Sequence, residues 1–110
     1  VGAALLAEER GRDGEPQVIS GCNVEHVSYG GAICAERGAI CSAVAAGHTR
    51  FSAIAVATSA AEPAPPCGFC LQVLAEFCDD LEILMVTEGG DRLLVTLDEL
   101  LPHRFTSKDF

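Results

Sequence analysis

The sequence predicts a three-layer α/β/α domain with a mixed five-stranded sheet, and three observations carry that expectation. Strand-like apolar runs alternate with helix-like, Ala- and Leu-rich segments, as in α/β domains. The stretch "RFSAIAVATS" is apolar almost throughout, the pattern of a central strand buried on both faces. The first two strand-like runs are separated only by a Gly- and Pro-punctuated turn, which requires an antiparallel pair within the sheet.

In chain order, "VGAALLAE" reads as the first strand and "GRDGEP" as the turn, with Gly11, Gly14 and Pro16 breaking the chain. "QVISGCNV" is the second strand, closing a hairpin. "EHVSYGGA" reads as a loop made pliable by Gly30 and Gly31. From Ile33 to about Gly47 the chain is rich in Ala, with larger apolar residues at Ile33, Ile40 and Val44, which predicts a closely packed helix ended by Gly47. "RFSAIAVATS" is the third strand. The Pro-rich "AAEPAPPC" is a stiff loop that delivers Cys67 to the head of a second helix, whose apolar face is Leu71, Leu74 and Cys78. "LEILMVTE" and "RLLVTL" are the fourth and fifth strands, joined by a turn at "EGGD". "LDELLP" is a last helical turn broken by Pro102.

A chain of 110 residues supports one domain, taken here as 1–110, and not two. Apolar residues make up 49% and the mean hydropathy is +0.30, more than a small monomer needs, so part of that surface is expected to pack against other copies of the chain. No apolar run is long enough to span a membrane. The opening "VGAALLAEER" lacks the basic flank and cleavage site of a signal peptide. The net charge of −9, with 7 basic residues scattered among 16 acidic ones, argues against a nucleic-acid partner and an anionic membrane surface. Six cysteines in a chain with ample apolar content and no export signal fit a reducing cytoplasm better than a disulfide scaffold. Cys22, Cys41 and Cys78 are expected to be small buried hydrophobes.

The remaining cysteines carry chemistry. Cys34 opens the first helix in "CAER", and Cys67 and Cys70 open the second in "PPCGFC". Helix N-termini favour thiolate over thiol. A C-x-x-C at a helix start can put both sulfurs on one metal ion, and Cys34 can add a third. Three ligands leave one tetrahedral position for water, the arrangement of a catalytic site, and thiolate softness points to zinc. Glu36 lies two residues from a ligand, placed to move protons rather than to bind the ion. Two other readings stay open on residues alone. "CGFC" after Pro is similar to a thioredoxin-type redox pair, which leaves Cys34 and Glu36 idle. A non-catalytic zinc module needs a fourth ligand, for which His26 and His48 are the candidates.

The pattern C-A-E … P-C-x-x-C is the signature of the zinc deaminases in its all-cysteine form. More narrowly, "GCNVEHVSYGGAICAERGAI", "PCGFCLQVLAEF" and "ELLPHRFTSKDF" resemble the small, homotetrameric zinc-dependent cytidine deaminases, and the resemblance runs from Val1 to Phe110. It implies a cytidine deaminase-like fold, one Zn²⁺ per chain held by Cys34, Cys67 and Cys70, and Glu36 as proton shuttle. It implies hydrolytic deamination of cytidine and 2′-deoxycytidine to uridine and 2′-deoxyuridine, with release of ammonia, in pyrimidine salvage. Asn23 and Glu25 match the pair that binds the ribose 3′-hydroxyl, and Ala35 the residue whose backbone amide meets the base carbonyl. Tyr29 and Phe105 match aromatics that in tetrameric members reach a neighbouring subunit's pocket. Arg37 matches the residue that hydrogen-bonds the ligand sulfurs.

The chain also departs from that pattern. The family usually carries an N-terminal helix and a pocket-lining Phe upstream of "VGAAL", and these 110 residues contain neither. Position 26 is His where Asn is common, and His26 with Gly30 and Gly31 is similar to blasticidin S deaminase, which makes deamination of that antibiotic or of a modified nucleoside the alternative. Phe69 stands where a smaller residue is common, and Leu71 where Arg is.

Overall fold

Gly21 sets how closely helix and sheet approach in the computed structural model of the chain, which describes residues 1–11 and 13–109. A Cβ at Gly21 would lie 2.4 Å from the Ala39 nitrogen and 2.5 Å from the Ala35 carbonyl oxygen. The first helix, α1 (Ala35–Ala45), therefore rests directly on the backbone of strand β2 (Gln17–Cys22). Its contact stripe is made of small residues: Ala35, Ala39 and Ala43 are fully buried at i, i+4 and i+8. Of the larger apolar residues in that segment only Ile40 is buried, while Ile33 and Val44 are 40% and 42% exposed. Gly47 ends the helix at φ +93°. The Gly47 and His48 amides donate back to the Val44 and Ala43 carbonyls, satisfying the last turn.

The sheet order is β2-β1-β3-β4-β5, with β1 at Gly2–Ala7, β3 at Phe51–Thr58, β4 at Glu82–Thr87 and β5 at Arg92–Thr96. β3 and β4 are parallel and the other pairs antiparallel, so the sheet is mixed as expected. Helix α2 (Gly68–Phe77) makes the crossover between the parallel pair. A short α3 (Leu97–Leu100) follows β5, started by a capping box between Thr96 and Glu99. Arg12, in the expected turn, and Phe110, at the end of the expected domain, lie outside the described residues.

Period-two alternation sorts the strands into two faces. One carries Ala3, Leu5, Ile54, Val56, Ile83 and Met85, all buried against α1 and α2. Phe51 continues that face and meets Phe77 of α2 edge-on, at 6.1 Å between centroids. The opposite face, with Val18, Leu6, Ala55, Leu84 and Leu94, remains partly exposed among the described residues. Val18 and Leu94 on this face are 64% and 61% exposed and form part of the chain's exposed apolar surface.

Cys78 is buried as expected, but Cys22 and Cys41 are exposed. Cys22 ends an edge strand on its outward side, and Cys41 lies on the face of α1 opposite the alanine stripe. No described helix is long and apolar enough to cross a membrane.

Candidate metal centre

Two helix N-termini converge to form the site. Cys34 is the N-cap of α1 and Cys67 the N-cap of α2, and neither helix end has a side-chain cap. Their first-turn N–H groups are left to act on whatever lies between them. The Cys34 and Cys67 sulfurs are 3.9 Å apart, and Cys67 Sγ lies 3.5 Å from Cys70 Sγ. All three fall within 4.8 Å of one another, the one such grouping of potential ligands among the described residues. Tetrahedral zinc with Zn–S bonds of about 2.3 Å would set its sulfurs about 3.8 Å apart. The donor set fits one Zn²⁺ in both chemistry and spacing.

The thiols differ in their surroundings. Cys67 is exposed, and the backbone N–H of Cys70 is the first of several hydrogen bonds that hold its pKa below the ordinary thiol value. Cys70 is fully buried, and burial pushes its pKa well up, with the Cys67 thiol and the Glu36 charge adding to the rise. Both cysteines were expected to favour thiolate, and Cys70 departs from that because desolvation outweighs the helix end. A thiolate there requires a neighbouring cation. Arg37 supplies one: its Nη2 lies 3.7 Å from Cys34 Sγ, and hydrogen bonds to Cys34 and then Cys70 raise its own pKa. The same guanidinium sits over the Phe69 ring, 4.3 Å from the centroid.

A cavity of about 250 Å³ opens on the sulfurs, lined among others by Cys34, Cys67, Ala35, Glu36, Asn23 and Glu25. Glu36 is 4% exposed, in the first turn of α1, and so is no solvated surface carboxylate. Asn23 Nδ2 donates to Glu25 Oε1 at 2.9 Å across the mouth. Cys34, Cys67 and the four residues expected around them thus share one cavity, with Cys70 buried behind it. Val1, Ile33, Val56, Ala64 and Pro65 complete its wall. Sequence reasoning gave none of these a place at the site, because apolar wall residues look like any other core or loop position.

Tyr29 and Phe105 are not part of this cavity. Tyr29 is 90% exposed, beside Glu25, His26 and Val27 at a separate depression, and Phe105 is 58% exposed, its carbonyl accepting from Gln72. His26 Nδ1 accepts from the Ser28 amide, and His48 Nδ1 faces Glu9 at 3.6 Å. Neither His belongs to the sulfur cluster. Leu71 is buried in the core, on the apolar face of α2.

Comparisons with known proteins agree with this geometry. Residues 1–86 match the cytidine and deoxycytidylate deaminase zinc-binding region. A cytidine deaminase of Halalkalibacterium halodurans is 44% identical over 110 residues, covering 99% of this chain and 79% of that protein. A more distant relative, a blasticidin-S deaminase of Bacillus cereus, is 29% identical over 114 residues, covering 96% and 76%. The crystal structure of cytidine deaminase from Burkholderia pseudomallei superposes with a TM-score of 0.83 at 43% identity, covering 94% of this chain and 80% of that one. Such a match places the fold in the three-layer α/β/α class with a mixed five-stranded sheet. With its family region matched from Val1 through β4 and its sulfurs grouped as a zinc site requires, the chain belongs to the zinc-dependent cytidine and deoxycytidylate deaminase family.

Proposed function

We propose that residues 1–110 act as one deaminase unit that hydrolyses free cytidine and 2′-deoxycytidine to uridine and 2′-deoxyuridine plus ammonia, in the pyrimidine salvage of the cytoplasm. The observation that carries this reading is the buried Glu36, which lines the same cavity as the sulfur cluster. A redox C-x-x-C pair has no use for that carboxylate or for Cys34. A structural zinc module has no use for an open cavity beside the ion.

Cys34, Cys67 and Cys70 would hold the zinc. When bound, the ion supplies Lewis acidity and lowers the pKa of water at its open position. Glu36 takes a proton from the attacking water and delivers it to N3 of the pyrimidine, then assists departure of the C4 amine as ammonia. Cytidine and water are consumed; uridine and ammonia leave. Glu25 accepts from the ribose hydroxyl at the mouth while Asn23 helps orient it, and the hydrogen bond that Asn23 Nδ2 donates to Glu25 fixes the carboxylate for that task. The amide of Ala35, in the uncapped first turn of α1, donates to the base carbonyl. Tyr29 and Phe105, exposed and away from their own chain's cavity, would complete a neighbour's site in a homotetramer.

The test is an ultraviolet assay of the purified protein on cytidine, deoxycytidine and blasticidin S, with zinc content measured alongside. Turnover of both nucleosides with one zinc per chain is expected. Turnover of blasticidin S alone would transfer the function to the antibiotic, and turnover of none would remove the deaminase reading.

A further inference from the structure

Phe69 is the aromatic that reaches the sulfur cluster through another residue. It lies between Cys67 and Cys70 in the first turn of α2, so two of the three cysteines fix its backbone. Phe69 is 64% exposed, an unusual position for a Phe that fills no part of the core. One face of the ring carries the Arg37 guanidinium, with Cζ 4.3 Å from the centroid. The other anchors of Arg37 are the ligand sulfurs of Cys34 and Cys70 and one carbonyl oxygen. Its Nη2 lies 3.7 Å from Cys34 Sγ and 3.5 Å from the Ala32 carbonyl oxygen, and its Nε is buried without a hydrogen-bond partner. The contact to Ala32 is at the long limit for a hydrogen bond, so apart from the sulfurs little else sets the plane of the guanidinium. The negative face of an aromatic ring attracts a guanidinium and sets its plane.

We infer that Phe69 is a positioning residue: its ring holds the Arg37 guanidinium against the Cys34 sulfur and thereby steadies the metal ligands. Donors to ligand atoms orient those ligands, and their loss typically costs about 10- to 100-fold in metal affinity. The inference rests on the three sulfurs being a zinc site. Incidental apolar cover would be reproduced by any aliphatic side chain, whereas a cation-binding ring would not.

The test follows zinc release to a chromogenic chelator from the zinc-loaded wild type and from Phe69→Leu, Phe69→Tyr, Arg37→Gln and the double variant Phe69→Leu/Arg37→Gln. The sulfur-to-cobalt charge-transfer band of the cobalt-substituted proteins is recorded in parallel. Phe69→Leu should release zinc about two- to five-fold faster, the size of an exposed cation–π contact. Phe69→Tyr should match the wild type. Phe69→Leu should add nothing once Arg37 is Gln, and its cobalt band should shift in the same direction as that of Arg37→Gln. Wild-type release from Phe69→Leu, or a full additional effect in the Arg37→Gln background, overturns the inference while leaving the metal centre intact. A wild-type protein that takes up no zinc overturns the metal centre first.

Discussion

The sulfurs of Cys34 and Cys67 lie 3.9 Å apart although 33 residues separate them in the chain. A whole strand and the Pro-rich loop intervene, so the contact exists only because α1 and α2 both start at one end of the sheet. An ion held there would join two helices as well as serve chemistry. Metal binding is therefore coupled to stability.

Cys67→Ala should accordingly lose both metal and thermal stability. Zinc measured by mass spectrometry should fall from about one per chain to a small fraction, and Tm should drop by about 5 °C or more. A variant that retained stoichiometric zinc would show that the sulfur triad is not the ligand set.

Glu36→Gln should keep zinc and Tm while kcat falls by about 10²- to 10⁴-fold, the range for loss of a positioned proton-transfer group. The amide preserves size and most packing in the cavity wall but takes up no proton. Near-normal kcat in this variant would assign the proton transfers to another group.

Much of this is legible in the sequence, for physical reasons that differ by element. Strand β3 announced itself by an unbroken apolar run, and the end of α1 by Gly47, because a positive φ there favours glycine. The sulfur triad and Glu36 were legible because metal chemistry needs those residue types at helix starts. The packing stripe of α1 is not legible in the sequence: Ile33 and Val44 stand out by size, yet Gly21 brings the backbones so close that only alanines fit. Exposure of Cys22 and Cys41 was equally hidden, since their sequence neighbours are apolar. The Phe69–Arg37 stack joins residues of different helices, and no local pattern encodes it.

Glu25→Gln should raise KM for cytidine and lower kcat/KM by about 10- to 100-fold, the scale of a hydrogen bond to a charged group. The carboxylate is lined up by Asn23 at 2.9 Å, at the cavity mouth and away from the sulfurs, so kcat should change less than KM. Free cytosine has no ribose hydroxyl, and its poor turnover should be nearly unaffected. Equal losses on cytidine and cytosine would place Glu25 outside ribose recognition.

Cys78 gives the fold an alkaline limit that is separable from the site. Burial raises its thiol from the ordinary 9.0 to about 11, with the Glu8 charge adding to the rise and a backbone hydrogen bond at Phe51 opposing it. Below pH 9 the thiol is protonated in folded and unfolded chains alike, and its contribution to stability is fully present. Between pH 9 and about 11 the unfolded chain loses this proton while the folded chain keeps it, so stability falls as pH rises. Thermal melts of the wild type should therefore show a declining Tm across that window. Cys78→Ala should start from a lower Tm, because it leaves a small gap beside Phe51, but should show a shallower alkaline decline. The decline is to be read on zinc-loaded protein, where the ligand thiols are already deprotonated and contribute least. Parallel curves for variant and wild type would assign the alkaline loss to other groups.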